Sequence, residues 1–248
     1  MRLENSFIAA SGVGTKTERK LWRQGVTHWD EFETGLLGPK TTENVLEFID
    51  AARDSLDAGD ADFFGDALPS DQFWRAYENF ADDACFFDIE TTGLDSSRHD
   101  VTTVSLHRGG DTRTYVQDED LTADVLREEF AESSMLVSFN GKRFDQPFLE
   151  DCLDLDVTTP HLDLLYACKQ VGLSGGLKNV EKAVGIDRAD GDVDGREAVR
   201  LWHRYDRNED DAALDRLVKY NREDAENLKD LLEHVHGRLR ADVFEAYV

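Results

Sequence analysis

The sequence predicts an α/β domain preceded by a small all-α region, and three observations lead to this prediction. The expected strand 84–89 begins with an uninterrupted apolar run, residues 84–87, and ends among acidic residues, as in a strand covered on both faces. Residues 101–107 and 113–116 flank a Gly-Gly-Asp turn, which indicates two paired strands. Residues 209–238 repeat apolar side chains with a helical period. The first 80 residues show helical patterns only.

The predicted N-terminal region covers residues 1–80. Glycines and Pro39 separate its helical patterns, and Thr41 or Thr42 can cap the longest of them. The segments expected here are helices over Asn5–Ala10, Thr15–Gln24, Thr42–Asp57 and Asp71–Phe80, a turn over Val26–Phe32 and a loop over Gly59–Pro69.

The predicted α/β domain covers residues 81–248. Three strands in succession and a later strand set between helices predict an α/β domain, in which we expect a mixed sheet flanked by helices. The expected strands are Ala84–Ile89, Val101–His107, Arg113–Val116 and Met135–Phe139. The expected helices are Thr122–Glu132, one starting near Gln146, Leu162–Gln170, Leu177–Val184, Gly195–Tyr205 and Glu209–Arg238.

The composition is that of a soluble protein with a real core. The chain has 248 residues, of which 40% are hydrophobic. No apolar run approaches the ~20 residues of a membrane span, and the polar N-terminus lacks a signal-peptide pattern. We therefore expect a cytoplasmic protein that does not enter a membrane. The three cysteines are widely spaced, which favours reduced thiols over a zinc site or disulfides.

The net charge of −25 is unusual for a protein that binds polyphosphates, because such proteins usually carry a basic surface. Acidic residues spread over the whole chain, with 19 Arg and only 9 Lys, resemble adaptation to a halophilic, molar-salt cytosol. At about 1 M salt the Debye length is about 3 Å, so the overall charge hardly reaches a ligand. The charge then describes the solvent rather than the substrate.

Asp88 and Glu90 follow the apolar run of the first strand. They are two residues apart, so both side chains point to one face of the strand and Ile89 to the other. Open α/β sheets place their sites at the carboxyl ends of strands. The alternative is a solvent-facing pair of acids at a strand end.

Asp224 lies on the apolar stripe of the last helix, and Tyr220 precedes it by one helical turn. A carboxylate on a buried face needs a partner, because burying an unpaired charge is costly. A divalent cation would satisfy it; an ion pair with a buried arginine is the alternative. The stripe comprises Leu214, Leu217, Asn221, Asp224, Leu228, Leu231 and Val235.

Residues Asn140–Asp145 occupy a strand-to-helix turn. Asp145 precedes Gln146-Pro147 and suits a helix N-cap, a role compatible with a second one at a metal. Lys142 and Arg143 offer positive charge for a phosphate.

Together these motifs resemble the DEDD superfamily of 3′–5′ exonucleases, which have a ribonuclease H-like fold. The residue patterns of the three motifs are similar to those of the proofreading domain of B-family DNA polymerases. From about Gly59 onward, the chain resembles the YprB-like group of ribonuclease H-like proteins. Any one motif alone is weak, but three in order form a strong pattern. The matching segments are Phe63-Phe64, Leu68-Pro69, Phe87–Leu94, Asn140–Asp145, Asp163–Leu165, Leu177–Glu181 and Tyr220–Asp224.

The resemblance implies a two-metal nuclease that uses Mg²⁺ or Mn²⁺ and acts on DNA or RNA. It implies that Asp88, Glu90 and Asp224 hold one cation, and that Asp88 and Asp145 hold the second. Tyr220 would orient or deprotonate the attacking water. The resemblance further assigns substrate contacts to Thr91, Asn140 and Lys178, whereas Asp163 is expected to cap a helix.

Two further segments resemble known binding motifs. Gly12-Val13-Gly14 between two predicted helices resembles a helix-hairpin-helix element, whose glycines bring backbone N–H groups close to a phosphate. The alternative is a plain helical hairpin. Asp190–Gly195 begins like a calcium loop, but Leu201 stands where a bidentate Glu is required, so we expect a surface loop.

Three functions remain open at this point. The leading hypothesis is a 3′–5′ exonuclease. The first alternative is a ribonuclease H-like endonuclease, and the second is a catalytically inactive nucleic-acid-binding module. The sequence leaves the choice of DNA or RNA and the oligomeric state undetermined.

Overall fold

The computed structural model describes residues 1–189 and 193–248, so residues 190–192 of the calcium-like segment lie outside the described residues. The chain forms two compact units. The first comprises Met1–Ala81 and Val235–Val248, and the second comprises Asp82–His234.

The first unit is entirely helical in its described elements. Its α-helices are α1 (Thr15–Arg23), α2 (Pro39–Ala58), α3 (Ala61–Ala67) and α4 (Tyr77–Phe80), with 3₁₀ turns at Leu3–Asn5, Trp29–Glu31, Ser70–Ala76 and Glu245–Tyr247. Part of the predicted Asp71–Phe80 helix is thus a 3₁₀ turn. Pro39 occupies the first turn of α2, and Gly59 ends this helix with a left-handed backbone.

The predicted helix over Asn5–Ala10 is wrong, because side chains bind the backbone groups that a helix would need. The Glu18 carboxylate accepts the N–H groups of Phe7 and Ile8 at 2.8 and 3.0 Å. The indole of Trp22 donates to the Asn5 carbonyl at 2.9 Å. The segment therefore forms turns, and the helix-hairpin-helix pattern lacks its first helix.

The predicted loop over Gly59–Pro69 contains helix α3. Its start is capped by Asp60, whose carboxylate accepts the N–H of Phe63 at 3.1 Å. Phe64 is fully buried, as expected for an aromatic residue that anchors this segment.

A buried ion pair lies in the core of the first unit. Arg75 and Glu18 are 0% and 1% exposed, and an Arg75 Nη1 donates to Glu18 Oε1 at 2.8 Å. The Ser6 hydroxyl donates to the same oxygen at 3.2 Å and accepts from Arg75 at 2.7 Å. This acid is thus neutralised and hydrogen-bonded within its own unit.

The second unit is built on a five-stranded mixed sheet of order β3-β2-β1-β4-β5. β1 pairs antiparallel with β2 and parallel with β4. β2–β3 is antiparallel and β4–β5 parallel. The strands are β1 (Ala84–Thr91), β2 (Val101–Arg108), β3 (Asp111–Val116), β4 (Met135–Ser138) and β5 (His161–Asp163).

Helices complete the predicted α/β class. They are α5 (Ala123–Ala131), α6 (Asp145–Leu153), α7 (Leu164–Gln170), α8 (Leu177–Val184), α9 (Gly195–Asn208) and α10 (Asp211–Val243). The core on one side of β1 contains Cys85, Phe87 and Ile89, which alternate with the residues of its other face. β1 is therefore the central strand that the apolar run predicted.

Two boundaries in this unit differ from the sequence prediction. The segment Leu162–Gln170 is not one helix, since its first residues belong to β5 and Asp163 caps α7 by accepting the Leu165 N–H at 3.0 Å. Helix α6 begins at Asp145 with Phe144 at its N-cap, so the N-cap assignment of Asp145 is wrong. In the ranges 1–189 and 193–248, no helix has the length and apolar character needed to cross a membrane.

Candidate metal centre

Three carboxylates converge where β1 meets α10. Asp88 and Glu90 come from alternate positions of the strand, and Asp224 comes from the buried face of the helix. One carboxylate oxygen of each lies within 4.8 Å of the others. Glu90 and Asp224 are only 8% and 5% exposed. The structure thus brings together residues that are far apart in the chain.

The amide of Asn221 fastens the helix to the strand. Its Nδ2 donates to the Asp88 carbonyl at 3.1 Å and to Asp88 Oδ2 at 2.8 Å. Its Oδ1 accepts from the hydroxyls of Thr103 and Ser105 at 3.0 and 2.8 Å. The sequence placed Asn221 on the buried stripe of the last helix but assigned it no role. A polar amide on an apolar stripe could have indicated a buried hydrogen-bonding residue.

Asp145 lies beside this group, at the first turn of α6. Its carboxylate accepts hydrogen bonds from its own N–H and from the N–H of Ile89 on β1. It interacts electrostatically with Asp88, Glu90 and Asp224. Within the part of the chain that the structure describes, it is not one of the three residues whose oxygens lie within 4.8 Å.

Crowding and burial shift the acids toward their protonated forms. Burial and the carboxylates of Asp224 and Asp145 raise the pKa values of Asp88 and Glu90 well above their ordinary range. Burial raises the pKa of Asp145 to about 7. Burial also raises the pKa of Asp224 to about 6, although Arg188 and Tyr220 act in the opposite direction.

This donor set fits a hard divalent cation. The three converging ligand atoms are all carboxylate oxygens, which Mg²⁺ and Mn²⁺ prefer over softer ligands. A bound cation would also remove the repulsion that raises the pKa values of these acids. Asp88, Glu90 and Asp224 are thus the residues that could hold one.

Tyr220 lies one turn before Asp224 on α10, and its side chain is hydrogen-bonded to the Asp224 carboxylate. Burial and the carboxylates of Asp224 and Glu90 raise its pKa, so the phenol stays protonated and donates. The Lys178 ammonium lies 4.9 Å from the centre of the Tyr220 ring. Lys178 also lowers the pKa of Glu90 relative to the value that burial alone would give.

Arg188 is a site residue that the sequence did not reveal. Its Nη1 donates to Asp224 Oδ1, so the predicted alternative of an ion pair with a buried arginine is also present. Arg188 does not separate the acids, because the ligand oxygens of Asp88, Glu90 and Asp224 remain together. No helical or strand period marks the segment between α8 and α9, so no sequence signal could have placed this side chain.

The turn after β4 holds three further predicted residues. Asn140 has a left-handed backbone with φ 66°, and its N–H donates to Asp163 at 2.7 Å. The Lys142 N–H binds the other Asp163 oxygen at 3.3 Å. Arg143 is exposed on the same turn. Asp163 therefore organises this turn as well as capping α7.

A cavity of about 690 Å³ opens beside Glu90. Thr91 lines it, with its hydroxyl donating to the Gly93 carbonyl at 2.6 Å. The apolar residues lining the cavity include Ile89, Leu94, Phe144 and Val199, and its basic residues are Arg196 and Arg200. Leu94 is 86% exposed, so the cavity carries an open apolar surface.

Gly12 and Gly14 belong to the first unit. Gly12 has φ 87°, and Gly14 is the N-cap of α1, where no atom would contact an added Cβ within 4 Å. Their assignment as phosphate contacts stays a prediction.

Comparisons with known proteins bear on the second unit. A family model described as the RNase_H superfamily matches residues 85–236, which is more than half of the chain. No curated protein matches. The family B DNA polymerase of Pyrobaculum calidifontis is similar in fold, with a TM-score of 0.51, 17% identity and 61% of this chain covered. The chain covers 24% of that polymerase, about a quarter of its length.

The NrnC protein of Brucella melitensis bound to pGG is a second similar structure. It has a TM-score of 0.48 and 19% identity, with 69% of this chain and 82% of that chain covered.

Proposed function

Because the chain belongs to the RNase_H superfamily, we propose that it is a metal-dependent nuclease that removes nucleotides from the 3′ end of DNA or RNA. The observation that carries the proposal is the convergence of Asp88, Glu90 and Asp224, with ligand oxygens within 4.8 Å, at a buried junction of strand and helix. In this proposal residues 81–248 form the exonuclease domain, and residues 1–80 form a separate N-terminal helical region.

The acids would work by holding Mg²⁺ or Mn²⁺. When bound, two such cations supply an activated water and stabilise the attacking and leaving oxygens of a phosphodiester. Asp88, Glu90 and Asp224 would hold the first. Asp88 and Asp145 would hold the second, with Asp145 acting directly or through water. Burial raises the pKa values of all four acids, and repulsion between neighbouring carboxylates raises them further.

Tyr220 would orient the attacking water rather than deprotonate it. Its raised pKa keeps the phenol protonated, and its hydroxyl is already engaged with Asp224. Lys178 lies against the ring of Tyr220 and lowers the pKa of Glu90, so its ammonium is suitably placed to contact the scissile phosphate.

The cavity beside Glu90 supports binding of a chain end. Thr91 and Asn140 would contact the terminal nucleotide, while the apolar wall with Phe144 and Leu94 offers surfaces on which bases stack. Lys142 and Arg143, on the turn after β4, would contact the backbone phosphates.

The experiment uses the full chain with DNA and RNA oligonucleotides labelled at either end, in Mg²⁺ or Mn²⁺, at low and molar KCl. We expect 3′-labelled substrates to release the label as a mononucleotide at once, 5′-labelled substrates to give a descending ladder, and circular substrates to stay intact. At molar KCl the activity should persist, because the acidic surface is screened.

The control variant is Asp124→Asn, which changes an exposed acid paired with Arg127 at the start of α5. It should digest at the native rate, whereas Asp224→Asn should not digest. Cleavage of circles would replace the exonuclease proposal with an endonuclease. No cleavage of any substrate, with no Mn²⁺ bound, would leave a nucleic-acid-binding module.

A further inference from the structure

Arg188 bridges two buried acids in the second unit. Its Nη2 donates to Glu181 Oε1 at 2.8 Å and its Nε donates to Glu181 Oε2, which is a bidentate pair. Its Nη1 donates to Asp224 Oδ1. The side chains of Arg188 and Glu181 are only 8% and 1% exposed.

Glu181 determines how the guanidinium is oriented. It lies on α8 and accepts a further hydrogen bond from Asn227 Nδ2 of α10 at 3.1 Å. A guanidinium is a rigid planar fork, so two bonds to one carboxylate fix the direction of its remaining N–H groups. In Arg188 that direction points to Asp224. Arg188 thus holds Asp224, while Glu181 fixes the position of Arg188.

Arg188 acts on Asp224 by orientation as well as by charge. Its charge favours the ionised carboxylate of Asp224, and Glu181 acts in the opposite direction, so the pair adds no net charge to the three acids. Arg188 takes Oδ1 of Asp224, and the Tyr220 side chain also bonds this carboxylate. The carboxylate cannot rotate without breaking these bonds, and one of its oxygens lies within 4.8 Å of ligand oxygens of Asp88 and Glu90.

We propose that Arg188 is a positioning residue that, anchored by Glu181, holds Asp224 as a single-oxygen ligand for the catalytic cation. This inference rests on the proposed function. It adds to that function a residue that touches neither cation nor substrate and acts only through Asp224.

The test measures Mn²⁺ affinity of the full chain by titration calorimetry, without nucleic acid. In Arg188→Lys the charge stays, but an ammonium cannot hold Glu181 with two bonds and Asp224 with a third in the same geometry. Residues that orient metal ligands typically contribute about 10–100-fold to metal affinity. We therefore expect Mn²⁺ binding to weaken at least tenfold.

The matched control is Arg204→Lys on α9. Arg204 also makes two bonds to one carboxylate, that of Asp210, but its side chain is 54% exposed and lies outside the centre. Its Mn²⁺ affinity should equal that of the native chain. Both variants are compared by circular dichroism at a temperature where each is fully folded.

Glu181→Gln provides a second route, needed if Arg188→Lys does not fold. The amide has one acceptor oxygen, and its NH2 group is a donor that cannot accept the second Arg188 N–H, so the two-oxygen pair is lost. Arg188 then loses its fixed direction, and its charge is no longer balanced by Glu181. Mn²⁺ affinity should again fall. In the double variant the loss should be smaller than the sum of the two single losses, because both act through one contact.

The outcomes separate this inference from the proposed function. Native binding of Mn²⁺ with unchanged affinity in both Arg188→Lys and Glu181→Gln would overturn the positioning role and leave the nuclease intact. Tighter binding in Arg188→Lys would also overturn it, because Arg188 would then merely oppose the cation. Failure of the native chain to bind Mn²⁺ would overturn the proposed function itself.

Discussion

Two buried acidic sites of this molecule differ in how their charge is balanced. In the first unit Glu18 is 1% exposed, and its Oε1 meets Arg75 and the N–H groups of Phe7 and Ile8. In the second unit Asp88, Glu90, Asp145 and Asp224 share a small volume. Arg188, which is itself paired with Glu181, reaches Asp224.

Charge balance, rather than burial, therefore separates a structural acid from a candidate metal ligand. Glu18 is balanced by Arg75 inside its own unit, and removing either partner would leave the other charge buried without its counterion. The four acids of the second unit are buried and repel one another, and both effects raise their pKa values. Burying these acids together destabilises the folded chain, and a group of acids that is nevertheless present indicates a site for a bound cation.

The strongest test of this contrast is Asp88→Asn. We expect digestion to fall by at least about 10⁴-fold, the scale seen when a group essential to catalysis is removed. The free energy of unfolding without divalent cations should not decrease, since a repelling charge is gone. Activity is measured with 3′-labelled oligonucleotides, and stability by chemical denaturation. A variant that kept its activity would contradict the ligand role of Asp88.

Arg75→Met should show the opposite pattern in the first unit. It leaves Glu18 buried without its cation, which costs about 3–5 kcal/mol in other proteins. Denaturant titration should reveal this loss. Mn²⁺ affinity at a temperature where the variant is folded should not change. Arg53→Met, which breaks the exposed pair with Asp30, is the control and should cost less than about 1 kcal/mol.

The pH dependence of stability depends on the buried acids of the second unit. Burial raises the pKa of Asp145 from 3.8 to about 7 and that of Asp224 from 3.8 to about 6. At pH values between the unfolded and the folded pKa, each of these acids therefore binds more protons in the folded chain than in the unfolded chain. The buried imidazoles of His161 and His236 act in the opposite direction, because their pKa values are lowered to about 3 and about 4. Without divalent cations, the contribution of the two acids to the free energy of unfolding should therefore be highest near pH 4. It should fall as the pH rises to about 7, by about 1.4 kcal/mol per pH unit for each proton.

Denaturant titrations from pH 4 to 7, with and without Mn²⁺, measure this slope. Mn²⁺ should flatten it by stabilising the ionised acids. The same slope in Asp145→Asn and Asp224→Asn would show that it arises elsewhere in the chain.

The smallest effect is expected for Asn221→Ala. The change removes the bonds to Asp88 and leaves the hydroxyls of Thr103 and Ser105 without their shared acceptor. Unfolding should become easier by about 1–3 kcal/mol. Mn²⁺ binding should weaken by about tenfold, because Asp88 loses the amide that orients it. Unchanged Mn²⁺ binding would limit Asn221 to a structural role.

The sequence predicted those parts of the site that follow a regular period. Strand alternation placed Asp88 and Glu90 on one face, and the helical stripe placed Asp224 on the buried side of α10. Both elements are long and strongly patterned, so their local geometry follows from spacing alone. The buried positions of Leu217, Leu228 and Val235 agree with the same stripe.

The parts that the sequence missed depend on contacts between distant residues. The Arg188–Asp224 bond joins residues 36 positions apart, with no period linking them. The turns at residues 5–10 form because Glu18 captures backbone groups, and a local pattern cannot show this. Strand β5 has only three residues and runs directly into α7, so its signal merged with that of the helix.

The amide bridge from Asn221 to Asp88 also determines which segments are free to diversify. Tyr220, Asn221 and Asp224 lie within five consecutive residues of one helix, and Asp88 and Glu90 alternate along one strand. Peptide geometry fixes the spacing inside each element, and the bridge fixes one element against the other. Surface connections such as the Gly109-Gly110 hairpin can therefore change length or acquire new substrate contacts, while the distances between Asp88, Glu90 and Asp224 stay the same.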